Sequence, residues 1–428
     1  MEVLILVLTF VVLLGIGVPV AWSIGLSSIF TMLVSIPMLP AFTTIAQRMA
    51  TGLDSFSLLA IPFFILAGQM MNKGGIARRL IDFAKTLVGA LPGGLAYVNI
   101  IAAMLFGAIS GSAVAAASAL GSMLGKRMED EGYSKEFSAA INVTSATTGL
   151  IIPPSNVLIV YSLASGGVSI AALFLAGYIP GLLTGLLLMI VAAFWAKKKN
   201  FPVGERSKMS DVFKTFLNAL PSLMLLVVVI GGIVVGIFTA TEASAIAVLY
   251  CLILTFIYKE MTIKELPDVF LDSVTTTAIV MLLIGTSMSM SWIMAYENIP
   301  QNITQILLSV SDNKFVVLLI INIILLFVGI FMDMTPAVLI FTPIFLPVVT
   351  ELGMDPTHFG IVMVLNLCIG LCTPPVGSVL FVGVGVAGTT IQKVIKPLLP
   401  LFIAMIIALI IVTYVPALSL WLPGLFGL

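Results

Sequence analysis

The sequence is poor in charge. Only 9% of its 428 residues are charged, 19 basic and 19 acidic, while 60% are hydrophobic. Because a soluble domain carries roughly a quarter charged residues, this composition excludes a water-soluble fold. A nucleic-acid-binding surface needs clustered Lys and Arg on an exposed face, and the same composition excludes it.

Histidine and cysteine are scarce as well. Three cysteines exclude a disulfide scaffold, and Cys368 and Cys372, four residues apart, are interpreted as buried packing residues. The single histidine, His358, leaves little material for a metal site or a catalytic dyad. The glycine-rich run 383–388 matches neither a Walker loop nor a dinucleotide fingerprint, so ATP is not implied. We therefore expect no enzymatic activity and no cofactor.

Long hydrophobic runs dominate what is present, and they predict an all-α polytopic membrane protein. About 20 apolar residues cover the hydrocarbon core of a bilayer. The N-terminus has no basic region and no small-residue cleavage site, so we interpret it as a retained membrane helix. The predicted apolar segments are 3–20, 21–37, 55–72, 95–125, 137–164, 169–196, 217–237, 240–258, 274–296, 315–350, 357–390 and 397–423.

Two of these segments are too long for one simple crossing. Segment 95–125 has the polar, glycine-containing midpoint 110–112, and segment 315–350 has the polar midpoint 333–336. Polar backbone breaks at membrane depth fit a re-entrant helix–turn–helix hairpin, with both ends on one side and a tip near the middle of the membrane.

The basic residues set the orientation. If the ten other segments cross and the hairpins do not, 17 of the 19 Lys and Arg residues fall in loops on one side. The positive-inside rule assigns that side to the cytoplasm, which places both termini outside. The predicted cytoplasmic loops are 73–94, 126–136, 197–216, 259–273 and 391–396.

The chain also aligns on itself. An offset of 221 residues superimposes Gly149 on Gly370 and the proline pair 153–154 on the pair 374–375. The two repeats would be inverted, since the first hairpin opens from the cytoplasm and the second from outside. Inverted repeats with interrupted helices are the architecture of secondary transporters, and the interruptions mark the binding site.

The interruptions can be interpreted chemically. Consecutive prolines remove backbone donors and leave preceding carbonyls without helical partners, and inside a membrane such carbonyls need protein, water or an ion. The hairpin tips add the hydroxyls of Ser110, Ser112 and Thr335 and the carboxylate of Asp333. These oxygens suit a hard cation such as sodium, whereas half-helix N-termini suit an anionic substrate.

Three alternatives concern single residues and motifs. Each proline pair can be a simple kink rather than a binding site. Asp333 can cap the hairpin tip, with or without binding an ion. Glu242, in the run 239–244, is interpreted as a cap at a helix start rather than as a transport carboxylate.

Six runs along the chain carry a family resemblance. They are 58–68, 107–114, 149–154, 239–243, 329–336 and 373–375. Together they resemble the large membrane subunit of a TRAP (tripartite ATP-independent periplasmic) transporter, and within that family they look most like the sialic-acid branch. The resemblance covers essentially the whole chain.

The resemblance implies an elevator-type fold of the ion transporter superfamily. Hairpins and broken helices would form a mobile transport domain, and the remaining helices a scaffold. The implied partners are a separate small membrane subunit of four helices and a periplasmic substrate-binding protein, in a bacterial inner membrane with both termini periplasmic. The corresponding domains are 1–94 (scaffold and arm helices), 95–164 (first hairpin and broken helix), 165–314 (scaffold and connecting helices), 315–390 (second hairpin and broken helix) and 391–428 (C-terminal membrane helix).

The resemblance also implies site residues, with sodium as coupling ion. The first sodium site is expected at Ser110, Ser112, Gly149, Ile152 and Pro154. The second is expected at Gly329, Asp333, Thr335, Thr373 and Pro375. The substrate is expected between them, near Ser155, Asn156, Val376 and Gly377.

The implied function is sodium-gradient-driven symport of an organic acid, with sialic acid (N-acetylneuraminate) as the expected substrate. One alternative is a stand-alone sodium-coupled dicarboxylate symporter or cation/proton antiporter of the same superfamily. Another is an ion channel or a purely structural membrane component. A membrane enzyme is disfavoured because the sequence offers no convincing catalytic constellation.

Overall fold

The computed structural model describes residues 2–199, 201, 203, 208–311 and 313–428, and within these ranges it contains helices and no β-strand. The first ten helices are α1 Glu2–Gly15, α2 Val20–Ser35, α3 Met38–Leu53, α4 Ala60–Lys73, α5 Ile76–Val88, α6 Gly94–Ser110, α7 Ala113–Asp130, α8 Lys135–Thr148, α9 Asn156–Ala164 and α10 Ile170–Lys199. The next ten are α11 Met209–Val234, α12 Ala240–Ile257, α13 Leu266–Tyr296, α14 Ile299–Val310, α15 Lys314–Phe331, α16 Met334–Glu351, α17 Pro356–Gly370, α18 Ser378–Val386, α19 Ile391–Tyr414 and α20 Ala417–Leu425. Short 3₁₀ turns at Phe56–Leu59 and Ile263–Glu265 precede α4 and α13. Across the described residues, eight helical segments are long and apolar enough to cross a membrane, as the polytopic prediction requires.

Both predicted hairpins are confirmed as helix–turn–helix units. Helices α6 and α7 meet at Gly111, whose φ of 63° is accessible to glycine without a Cβ penalty. Helices α15 and α16 meet at Met332 and Asp333. The two breaks therefore fall at the predicted tips.

Both predicted broken helices are also confirmed. The first consists of α8 and α9 and the second of α17 and α18, and each is interrupted at its proline pair, which contains a cis peptide bond. The offset of 221 residues further pairs Gly132 (φ 86°) with Gly353 (φ 72°), which occupy the same turn after each hairpin. The inverted repeat is thus visible in the backbone as well as in the sequence.

Three predicted segments differ in detail from the observed helices. The segment 391–396, predicted to be a loop, forms the first turns of α19, because Lys393 and Lys396 can extend toward water from a helix end. The segment 397–423 is not one helix, since α19 ends at Tyr414 and Pro416 precedes α20. The predicted loop 73–94 contains the amphipathic helix α5.

The broken helices occupy the centre of the molecule. All residues of α8 from Phe137 to Thr148 are buried, and α17 is buried from His358 to Gly370. The polar side chains of α8 tolerate burial because hydroxyls such as that of Thr144 donate to the carbonyl four residues earlier, at 2.9 Å for Ala140.

The two repeats are interleaved. Helix α16 of the second hairpin packs on α9 of the first broken helix, and α7 of the first hairpin packs on α18 of the second. Helix α4 contacts α6, whereas α13 and α14 contact α16, so different helices outside the repeats support each hairpin. This arrangement places both hairpin tips next to the breaks.

Candidate functional site

A pair of facing glycines joins each hairpin to its broken helix. A Cβ on Gly149 would lie 2.6 Å from the Cα of Gly107, and a Cβ on Gly370 would lie 2.5 Å from the Cα of Gly329. Real Cβ atoms essentially never approach a backbone carbon so closely. Gly107 is missing from the predicted site, although an offset of 222 residues pairs it with Gly329.

The first hairpin tip is closed by its serines. Ser112 caps α7 by accepting the backbone N–H of Ala115 at 3.2 Å, and the Ser110 hydroxyl donates to the Ser112 carbonyl at 3.4 Å. A Cβ on Gly111 would lie 2.7 Å from Nδ2 of Asn156. The tip therefore contacts the start of α9 and brings three predicted site residues together.

The first break is buried. Ile152 is 8% exposed, and its side chain packs on α10, where a Cβ on Gly181 would lie 2.5 Å from its Cγ1. Ile152 can thus offer only backbone atoms to an ion, and the buried Pro154 has only its carbonyl to offer. Ser155 is 1% exposed, and its hydroxyl has no hydrogen-bond partner among the described residues.

The second hairpin tip carries the carboxylate. Asp333 caps α16, and its Oδ1 accepts the backbone N–H of Met334 at 2.9 Å. The capping interpretation is confirmed, and ion binding stays a prediction. Asp333 is exposed and Thr335, in the first turn of α16, is half-buried. At the offset of 221 residues, Asp333 corresponds to Ser112.

The second break is open where the first is buried. Pro375 and Val376 are exposed and Thr373 is half-buried. The Thr373 hydroxyl donates to the carbonyl of Ile369 at 2.7 Å, so its hydrogen is used while the oxygen lone pairs stay available.

Gly377 attaches the second break to the second hairpin. Its backbone N–H donates to the carbonyl of Ile330 at 3.2 Å. A Cβ on Gly377 would lie 2.7 Å from the carbonyl oxygen of Leu371 and 2.9 Å from that of Thr373. Carbonyl groups therefore crowd around Gly377, and only a residue without a side chain fits among them.

The two broken helices contact each other just before their breaks. The Cys368 thiol donates to the carbonyl of Thr147 at 3.2 Å, and Thr147 Oγ1 lies 3.5 Å from the thiol of Cys372. Thr147 and Cys368 are equivalent at the offset of 221 residues, so the contact lies on the pseudo-twofold axis. The cysteines are buried, as predicted, but their polar contacts were not foreseen.

In each repeat the hairpin contacts its broken helix beside the predicted sodium residues, at Gly107 and Gly149 in the first and at Gly329 and Gly370 in the second. Their roles, and those of the four predicted substrate residues, stay predictions. In the described part of the chain no group of three or more His, Cys, Asp or Glu side chains could hold a metal ion. The Glu242 cap is confirmed, since its carboxylate accepts the backbone N–H of Thr239 at 2.8 Å.

Comparison with a family model gives a match to nearly the whole chain. Residues 7–418 match the model described as "Tripartite ATP-independent periplasmic transporter, DctM component". The resemblance stated from six sequence runs is therefore confirmed.

Individual relatives agree with the family match. The chain is 58% identical to an uncharacterized protein, YgiK, of Salmonella typhimurium, over 98% of this chain and 96% of that one. It is 42% identical to the C4-dicarboxylate TRAP transporter large permease protein DctM of Pseudomonas aeruginosa, over 95% of each chain. It is 41% identical to the sialic acid TRAP transporter large permease protein SiaM of Vibrio cholerae, over 89% of each chain.

A solved structure supports the fold alone. The chain resembles the YdaH transporter of Alcanivorax borkumensis with a TM-score of 0.65 at 13% identity, covering 90% of this chain and 88% of that one.

Proposed function

The chain belongs to the DctM component family of tripartite ATP-independent periplasmic transporters, as a large permease subunit, and on this premise we propose that it drives symport of an organic acid with sodium by an elevator mechanism. One observation carries the proposal. In each repeat the hairpin tip contacts the break, at Gly111 and Asn156 in the first and at Ile330 and Gly377 in the second. Two inverted copies of one ion-binding unit are the expected core of such a transporter.

The oxygens at the second site favour a hard cation. Asp333 supplies a carboxylate, the Thr373 oxygen keeps free lone pairs, and carbonyls crowd around Gly377. Oxygen-only donor sets suit hard cations, and the soft thiols of Cys368 and Cys372 are already engaged in the contact between the broken helices. We assign these oxygens to sodium.

An anionic substrate fits the half-helices. The nine-residue helices α9 and α18 begin at the breaks, so their N-termini direct positive partial charge there. The partnerless Ser155 hydroxyl and the Asn156 amide add polar contacts at α9, whereas Val376 offers none from its side chain before α18. Ser378, the first residue of α18, also has a buried hydroxyl without a described partner, so we expect side-chain hydrogen bonds to the substrate from both repeats.

Sialic acid is the first substrate to test. C4-dicarboxylates should be tested together with it, because the relatives named for the two substrates are almost equally similar to this chain. Both are organic acids, and both fit a positively polarised site.

The driving force is sufficient without ATP. A net inward charge gains about 2.3 kcal/mol per 100 mV of membrane potential, and a tenfold sodium gradient adds about 1.4 kcal/mol per ion. Two sodium ions with one monoanion therefore yield about 5 kcal/mol, enough for substantial accumulation.

The proposed assembly has three components in the bacterial inner membrane. A separate four-helix membrane subunit would join the helices outside the hairpins and breaks, and a periplasmic binding protein would deliver the substrate. Both termini of this chain would face the periplasm, following the distribution of basic residues.

Uptake into proteoliposomes tests the proposal. Labelled sialic acid or a labelled C4-dicarboxylate is supplied under an inward sodium gradient, and this chain, the small subunit and the binding protein are omitted in turn. We expect uptake only with all three and only with sodium. Uptake by this chain alone would identify a stand-alone carrier, and sodium-independent uptake would remove the coupling ion from the proposal.

A further inference from the structure

A polar cavity lies away from the hairpin tips and the breaks. It encloses about 530 Å³ between α5, α11 and the end of α12, a size typical of small-molecule sites. Its wall includes Arg78, Arg79, Asp82, Asn218, Tyr258 and Glu260. None of these residues belongs to the proposed transport site.

Part of this wall is held rigidly. The Arg79 guanidinium lies 3.6 Å from the ring centroid of Tyr258, pairs with Glu260 at 3.5 Å and donates to the carbonyl of Gly75 at 2.9 Å. Glu260 therefore neutralises the charge of Arg79, and the Arg79 side chain forms a fixed part of the cavity wall.

The remaining charges of the wall are free. Arg78 and Asp82 lie one turn apart on α5, and both are exposed. Neither has an ion-pair partner within 4.0 Å among the described residues, although both line the cavity. The buried Tyr258 hydroxyl also has no hydrogen-bond partner in the described part of the chain. The cavity thus offers one cation and one anion to a ligand.

The cavity lies beside the ends of two helices, α11 and α12, that are long and apolar enough to cross a membrane. Helix α12 ends there at Ile257, which is 65% exposed, and Leu217 of α11, in the cavity wall, is 46% exposed. Apolar side chains therefore face lipid beside a polar cavity of zero net charge. A ligand that matches both parts has a zwitterionic head and hydrophobic tails.

We propose that this cavity binds the headgroup of a zwitterionic phospholipid carrying a phosphate and a primary ammonium. Arg78 holds the phosphate, and Asp82 holds the ammonium. A guanidinium is well suited to a phosphate, with which it forms charge-assisted hydrogen bonds. Because α5 directly precedes the first hairpin, the bound lipid fastens that helix to α11.

Lipid binding to the purified full chain tests the proposal. The delipidated protein is titrated with phosphatidylethanolamine and with phosphatidylglycerol of the same acyl chains, and bound lipid is counted by native mass spectrometry. We expect the wild type to prefer phosphatidylethanolamine, and Arg78→Ala to weaken its binding about tenfold. Asp82→Asn should erase the preference while retaining binding of both lipids.

The controls separate this site from general lipid association. Arg127→Ala removes a basic residue of α7 that does not line the cavity, and it should bind lipid as the wild type does. Arg78→Lys keeps the charge and should retain part of the affinity, which guards against loss through misfolding. Equal binding by wild type and Arg78→Ala, or a preference for phosphatidylglycerol, would overturn the proposal. Glycerophosphoethanolamine bound as tightly as the lipid would assign the cavity to a soluble phosphate ester instead.

Discussion

The two repeats share a backbone plan and differ in exposure. In the first repeat the break is buried from Ile151 to Ser155, and the tip is capped by the hydroxyl of Ser112. In the second repeat Pro375 and Val376 are exposed, and the tip is capped by a carboxylate. The same position in the fold therefore holds a neutral cap in a closed site and an acidic cap in an open one.

The two repeats therefore share their backbone geometry but differ in the charge of the cap residue. A charged side chain costs several kcal/mol when it is buried without partners. On the surface of this chain the Asp333 side chain is exposed, whereas the Ser112 side chain is half-buried. The pseudo-symmetry therefore repeats the backbone plan, while the two predicted ion sites differ in chemistry at this cap position.

Replacing the cap of the second tip by that of the first should have the largest effect. Asp333→Ser gives the second tip the residue of the first, which keeps an N-cap and removes the charge. We expect the sodium concentration for half-maximal uptake to rise at least tenfold, because a hydrogen bond or contact to a charged group is worth about 1.5–3 kcal/mol. Sodium titration of uptake in proteoliposomes measures this.

A second capping aspartate gives the matched control. Asp355 caps α17 by accepting the backbone N–H of Thr357 at 2.7 Å, and it is not part of either proposed site. Asp355→Ser should leave the sodium titration unchanged. If Asp333→Ser also keeps the wild-type titration, Asp333 is a structural cap only.

The glycine pairs should be intolerant to substitution in both repeats. Gly149→Ala and Gly370→Ala each push a Cβ to within about 2.6 Å of a facing backbone carbon. Overpacking of this kind costs about 1–3 kcal/mol, so the melting temperature in detergent should fall for both variants. Gly125→Ala in α7, where a Cβ would meet open space, should leave it unchanged or raise it. An unchanged melting temperature for Gly149→Ala or Gly370→Ala would show that the hairpin can shift away from the broken helix without loss of stability.

The hydroxyl of Ser155 should matter for substrate and not for stability. Ser155→Ala removes a buried group that has no partner in the described chain, and we expect KM to rise about fivefold to tenfold, or about 1–1.4 kcal/mol. The melting temperature should not fall. Ser419→Ala in α20, which also removes a buried hydroxyl without a described partner, should leave KM unchanged. An unchanged KM for Ser155→Ala would remove Ser155 from the substrate site.

The contact between the repeats should contribute least. A double-mutant cycle of Thr147→Val with Cys372→Ala isolates the hydroxyl–thiol contact of 3.5 Å. We expect a coupling free energy of about 0.5 kcal/mol in chemical unfolding, because sulfur is a weak hydrogen-bonding group. Cys251→Ala on α12 combined with Thr147→Val should show none. Coupling equal in both cycles would mean that the effect is not specific to the contact.

Local signals in the sequence were enough to find the main elements of the site. Proline pairs and a glycine flanked by serines interrupt apolar runs, and no other residues break a membrane helix so clearly. The hairpin tips at Gly111 and Asp333 and both broken helices were therefore predicted correctly.

The remaining features depend on partners distant in the chain. Lys393 and Lys396 suggested a loop because charge alone does not distinguish a loop from the end of a membrane helix. Helix α5 was missed because it is shorter than a span, although Ile76, Leu80 and Ala84 recur at helical spacing and are buried. The difference in exposure between the breaks depends on packing, as with Ile152 on α10, and has no local signal.

The interleaving of the repeats has a consequence for synthesis in the cell. Helices α7 and α9 leave the ribosome long before α18 and α16, against which they pack. Until those partners are inserted, the break after α8 has no complete protein environment, and the bilayer cannot satisfy the backbone groups that are freed there. We therefore expect the first half to reach its final packing only after the second half is inserted. A chain truncated before residue 314 would be a substrate for membrane proteases rather than a half-functional carrier.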